Sequence, residues 1–240
     1  MKVSVEGISK SYDKQEVLNI PELVLESGKI TGIVGNNGAG KTTLLRAILD
    51  LIQLDRGVIR IGEWPVANCE DWRKKTSAFL GSDSMLNFLT PEEYFYFVGA
   101  LSERTESEVT DLLVKYGIFF NDEILGKKKK YIRDFSAGNI QKVGIIAALI
   151  SRPEVLLLDE PFNFLDPTSQ VLLQEILADV NKNYPCTVIV SSHDISQLAP
   201  ICDRAVLLEK GMIRHDIQAS DNILEKLNDY FLSGRRIANP

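Results

Sequence analysis

Two short stretches carry chemistry by residue type and spacing. The first is Gly35-Asn36-Asn37-Gly38-Ala39-Gly40-Lys41-Thr42. Its small residues let backbone N–H groups curl around phosphate oxygens. Lys41 adds a full positive charge against the terminal phosphates, and Thr42 offers a hydroxyl to Mg2+. A helix starting here points its positive end at the same anion. The second is Val155-Leu156-Leu157-Leu158-Asp159-Glu160, in which an apolar strand delivers two carboxylates at its C-terminal end. Ligands in open α/β sheets sit at that end. Asp159 suits Mg2+ through its water shell, and Glu160 suits a base that orients and deprotonates a water. A lone Asp-Glu at a strand end is commonly just solvated. Beside a phosphate loop it reads as a catalytic pair.

The flanking elements must position these groups. Lys2–Ser9 alternates apolar and polar residues, and Glu16–Leu25 has strand character. Ile30–Val34 is a short apolar strand that feeds the phosphate loop. Leu44, Leu45, Ile48, Leu49 and Ile52 then fall on one helical face, with a stop expected at Asp55-Arg56-Gly57 and a strand at Val58–Ile61. From about Trp72 to Leu149 the pattern predicts mainly helix, with a start at Thr90-Pro91-Glu92-Glu93. Val155–Leu158, Thr187–Val190 and Ala205–Leu208 read as strands, Pro167–Val180 as helix, and Gly211 as the turn of a final hairpin. Strands alternating with helices argue for an α/β fold.

The chain has 240 residues, enough for one large α/β domain, and a net charge of −6. That balance argues against a nucleic-acid partner, whose recognition rests on Lys and Arg. No apolar run approaches the roughly 20 residues that span a bilayer, and the start does not resemble a secretory signal. Cys69, Cys186 and Cys202 are scattered and read as inert thiols of a reducing compartment. A cytoplasmic protein is expected. Lys127–Lys130 reads as a solvated loop, with lipid contact the alternative. Tyr94, Phe95, Tyr96, Phe97 and Val98 read as helix core, or in part as a groove for a partner's helix.

With these motifs in this order, nearly the whole chain resembles the ABC ATPase family. The resemblance implies a P-loop NTPase core of ABC type with a mixed, mostly parallel sheet, an N-terminal antiparallel β subdomain and an inserted helical subdomain at about 82–142. One ATP-binding domain would cover 1–232, with a loose tail at 233–240. It implies ATP and Mg2+ as ligands. ATP would be held by Gly35, Asn36, Asn37, Gly38, Ala39, Gly40, Lys41, Thr42 and Thr43, and Tyr12 would stack on adenine. From its pattern alone, Tyr12 is equally well a half-buried strand residue. Thr42 and Asp159 would serve the metal, and Glu160, His193 and Lys41 the reaction. Ser136, Ala137, Gly138 and Asn139 match the signature peptide, and Asp166 lies in the loop that crosses between subunits. In such a family two domains sandwich two ATP molecules, so a second copy or a paralogue is implied. A separate integral membrane permease is implied too, placing the chain on the inner face of the cell membrane.

The chain also departs from the family pattern. Its signature reads Phe135-Ser136-Ala137-Gly138-Asn139, where Leu-Ser-Gly-Gly-Gln is usual. The Gln that usually touches Mg2+ is missing from Phe79-Leu80-Gly81-Ser82-Asp83, which leaves Ser82 or Asp83 to replace it. The leading expectation is the motor subunit of an ABC transporter, with Leu89–Leu101 looking more like exporters. A soluble ABC ATPase, for example of iron–sulfur assembly, or a poorly hydrolysing regulatory subunit are the alternatives.

Overall fold

The computed structural model describes residues 1–230 except 122, 123, 127–129, 228 and 229. The expected loop at Lys127–Lys130 therefore lies mostly outside the described residues, and the expected tail at 233–240 wholly so.

Strands β1 (Val3–Tyr12) and β2 (Gln15–Leu25) form a hairpin, and β3 (Ile30–Val34) leads into the phosphate loop and helix α1 (Lys41–Ile48). Strands β4 (Arg56–Ile61), β5 (Trp64–Pro65) and β6 (Thr76–Phe79) follow. Next come helices α2 (Pro91–Leu101), α3 (Glu106–Lys115), α4 (Gly117–Phe120) and α5 (Ala137–Ile150). The remainder is β7 (Val155–Leu158), α6 (Pro167–Asn183), β8 (Thr187–Ser192), α7 (Ile195–Leu198), β9 (Arg204–Glu209) and β10 (Met212–Gln218).

The strands make two sheets. One is antiparallel, in the order β2-β1-β4-β5. The other runs β10-β9-β3-β8-β7-β6, parallel except for β10. Strands β3, β8, β7 and β6 are consecutive neighbours, so their C-terminal ends form one row.

The apolar strands of this second sheet serve two cores by simple alternation. Val155, Leu157, Ile189, Val206 and Leu208 join α1 and the antiparallel sheet. Leu156, Leu158, Val188, Val190 and Leu207 face the opposite way, into the core shared with the later helices. Helix α5 is buried from Gln141 through Ile150, as expected of a helix apolar nearly all round. Thr90 caps α2 in a full capping box with Glu93 and Pro at the first turn, as the sequence predicts.

Two expectations need correction and one needs refining. The stretch from Trp72 to Leu149 is mainly helical as expected, but it also holds the edge strand β6, Thr76–Phe79. Four residues beginning Thr-Ser carry no period of their own. They become a strand because β7 offers a ladder and because Gly144 of α5 leaves room for the Phe79 ring, 2.1 Å from where a Cβ would stand. Helix α1 ends at Ile48 rather than near Ile52. Asp50 takes a left-handed φ of 53° there and Leu51 is 62% exposed, so the apolar spacing outruns the helix. Arg56 and Gly57 belong to β4 rather than to a turn. The final hairpin turns at Gly211 as expected, with φ 75°.

Candidate active site

The phosphate loop leaves β3 and enters α1 at Gly40, whose φ is 104°. A Cβ at Gly40 would also stand 2.8 Å from Val17 O, and one at Gly35 would stand 2.3 Å from Leu208 O. Only glycine fits this close approach to β2 and β9. Lys41 heads the helix and is 5% exposed. Its ammonium donates to Gly35 O (2.7 Å) and Asn36 O (3.3 Å) and pairs with Glu160 Oε1 at 3.0 Å. Asn36, Asn37, Gly38 and Ala39 complete the loop, with Gly38 at φ 81°. Thr43 is half-buried on the first turn of α1.

Strand β7 presents Asp159 and Glu160 beside this loop. Thr42 Oγ1 donates to Asp159 Oδ2 at 2.6 Å, and Ser191 Oγ donates to Asp159 Oδ1 at 2.5 Å. The Glu160 N–H donates to Ser191 Oγ at 2.8 Å. Glu160 Oε2 meets His193 Nδ1 at 2.8 Å and accepts from the His193 N–H at 3.3 Å. Lys41, Thr42, Asp159, Glu160, Ser191 and His193 thus form one connected polar network on three adjacent strand ends. The sequence assigns no role to Ser191. Its role comes from the pairing of β8 with β7, which brings its hydroxyl to Asp159 and to the Glu160 N–H.

Beyond β6, Ser82 and Asp83 line a cleft of about 290 Å3 together with Asp159, Glu160, Gln141 and Ala137. Ser136 caps α5, its Oγ accepting from the Asn139 N–H at 3.3 Å. A Cβ at Gly138 would stand 2.6 Å from Phe164 O, so the start of α5 packs directly on the loop that runs to Asp166. Asp166 caps α6 by accepting from Ser169 N (3.0 Å) and Ser169 Oγ (2.6 Å). Those bonds hold its carboxyl below the usual carboxylate range. Tyr12 ends β1, 46% exposed, with the Lys10 ammonium 4.9 Å from its ring centroid. The Cys186 and Cys202 thiols are buried, which pushes both up to about 12 and keeps them out of the chemistry.

The arrangement fits a magnesium nucleotide. A buried ammonium needs a counter-charge, and here it borrows Glu160, which a triphosphate would relieve. Thr42 and Asp159 offer hard oxygens side by side. Among the described residues no group of three or more His, Cys, Asp or Glu could hold a metal alone. Mg2+ binds through one or two protein oxygens plus phosphate, and Thr42 and Asp159 carry such oxygens.

The chain resembles known proteins in sequence and in fold. The sequence pattern of the family described as ABC transporter matches residues 18–163. The tungstate uptake system ATP-binding protein TupC of Peptoclostridium acidaminophilum is 31% identical over 216 residues, 89% of this chain and 97% of that protein. The lantibiotic transport ATP-binding protein SrtF of Streptococcus pyogenes is 28% identical over 98% of this chain and 99% of its own length. A solved ATP binding subunit of an ABC transporter superposes with a TM-score of 0.82 at 26% identity, covering 96% of this chain and 93% of that one. A dimeric ATP-binding cassette bound to ADP and Pi has the same fold, with a TM-score of 0.80 at 21% identity. The chain belongs to the ABC transporter ATP-binding family and is an ATPase that binds ATP.

Proposed function

We propose that this chain is the motor subunit of a transporter. It binds Mg-ATP through residues 35–43, closes on a second ATP-binding subunit, hydrolyses the nucleotide, and passes the motion to a separate membrane chain. The observation that carries the reading is the network on the ends of β3, β8 and β7. Mg2+, held by Thr42 and Asp159, would neutralise charge on the terminal phosphates. Glu160 would take the proton of the attacking water, and His193 would steady both Glu160 and the γ-phosphate by hydrogen bonding. Ser82 or Asp83 takes the place of the usual Gln at the same cleft. Tyr12 stacks on adenine. Ser136, Ala137, Gly138 and Asn139 of one subunit meet the ATP of the other, with Asp166 in the loop that crosses between them.

The domain is read as 1–232, with its helical part at about 82–142. Helix α2 supports a docking face there. Pro91, Phe95 and Gly99 are buried, whereas Phe97 is 43% and Leu101 70% exposed. No helix among the described residues is long and apolar enough to cross a membrane; the separate membrane chain and the place on its inner face are what the family resemblance supports. Export rests on the likeness of Leu89–Leu101 to exporters. Against it, the relatives whose names state a direction serve tungstate uptake and methionine import, whereas the lantibiotic transport protein states none.

Glu160→Gln tests the chemistry. Hydrolysis should fall about 10²–10⁴-fold, while ATP still binds and gathers the variant as a dimer. A Glu160→Gln protein that stays monomeric at saturating Mg-ATP would count against the sandwich.

A further inference from the structure

Glu160 is constrained through its backbone as well as its carboxylate. We infer that Gln141, on α5, is the positioning residue that keeps the Glu160 carboxylate aligned for hydrolysis. The inference rests on the reading of Glu160 as base.

Glu160 has a φ of 47° and is followed by Pro161. A left-handed φ is unfavourable for a residue with a side chain. A following proline adds to this, because it drives the preceding residue toward extended backbone. Such a conformation persists only where its surroundings over-determine it. Here both ends of the residue are held. The Glu160 N–H is bonded to Ser191 Oγ on β8 at 2.8 Å. The Glu160 carbonyl accepts the Asn163 N–H at 3.2 Å within the local turn, and Gln141 Nε2 at 3.1 Å from outside it.

Gln141 is 7% exposed, and every residue after it on α5 is buried. A buried amide in such a helix is unfavourable unless it is bonded. An apolar residue of the same length would serve the packing equally well, so the amide is accounted for by its bond to Glu160. The same helix begins at the Ser136 cap. The position of the base is thus tied to the helix that carries Ser136, Gly138 and Asn139. Without this bond the Glu160–Pro161 turn can relax toward extended φ, moving the carboxylate relative to Lys41 and His193. Misplacement of a reacting group by about 1 Å costs on the order of 100-fold in rate.

The test measures steady-state kcat and KM, ATP affinity and thermal midpoint on the full-length chain. Gln141→Met keeps length and removes the donor. Gln141→Asn withdraws the amide by one methylene and carries the test if the Met variant does not fold. We expect kcat to fall about ten- to a hundred-fold, with KM and ATP affinity within about twofold of the parent. An unchanged kcat overturns the inference. So does a parallel loss of kcat, ATP affinity and thermal midpoint, which would mark a purely structural role. Glu160→Gln, measured alongside, separates the two claims. If it turns over normally, the base reading itself is wrong. If it is inactive while the Gln141 variants are normal, only the role of Gln141 is lost.

Discussion

At the scale of single residues, the centre is Lys41. Its ammonium is buried and, among the described residues, its carboxylate partner is Glu160 Oε1, at 3.0 Å. A triphosphate would offer a stronger counter-charge at the same place, so in the proposed function nucleotide binding would also release Glu160 to act as base. Lys41→Ala should lower ATP affinity about ten- to a hundred-fold, the value of a charge-assisted hydrogen bond, as read by titration calorimetry. Unchanged binding would contradict the phosphate-loop assignment. Asp166 acts differently. Its depressed carboxyl pKa comes from capping α6. That contribution to stability is present above the ordinary carboxylate pKa and is lost as pH falls through the depressed value. Lys41, Thr42, Asp159 and Glu160 are legible in the sequence because each motif states its chemistry within a few residues. Ser191 and Gln141 are not, because their roles come from Glu160, 31 and 19 residues away.

At the scale of elements, the least legible is β6. Thr76–Phe79 carries no alternation, yet it aligns Phe79 with Leu158 and bonds Phe79 O to the Asp159 N–H at 2.9 Å. It therefore places Ser82 and Asp83 at the cleft. Its seat depends on Gly144, where a methyl group would overlap the Phe79 ring. Gly144→Ala should destabilise the protein by about 1–3 kcal/mol through overpacking. That should appear as a lowered thermal midpoint and, through the displaced Ser82–Asp83 segment, as slower hydrolysis. An unchanged midpoint would show that the ring moves freely and that β6 is not seated by this contact. The helix starts were easier to read. Thr90-Pro91-Glu92-Glu93 is a local capping pattern and forms as written.

At the scale of the whole molecule, the parallel sheet lines up the ends of β3, β8, β7 and β6 in one row. One face of the sheet supports α1 and the phosphate loop, and the other supports α5, from which Gln141 reaches Glu160. A motor built this way needs something to move. In the proposed function the exposed Phe97 and Leu101 on α2 would be the apolar surface that meets a membrane chain. Affinity purification of the tagged protein from detergent-solubilised cells should yield a near-stoichiometric integral membrane protein. Recovery of a soluble partner alone would favour a soluble ABC ATPase and leave the ATP chemistry unchanged.

The sequence by itself determined the phosphate loop, the carboxylate pair, the strand and helix order around them, and the family resemblance. Each rests on short-range spacing or on a motif contained in one segment. Only the tertiary structure decided which strand ends are neighbours, that Thr76–Phe79 is a strand, where α1 stops, and that Ser191 and Gln141 clamp Glu160. Those outcomes depend on hydrogen bonds and packing between residues far apart in the chain. The left-handed backbone of Glu160 is the sharpest case, because a residue with a side chain before proline disfavours it and hydrogen bonds from β8 and α5 hold it there.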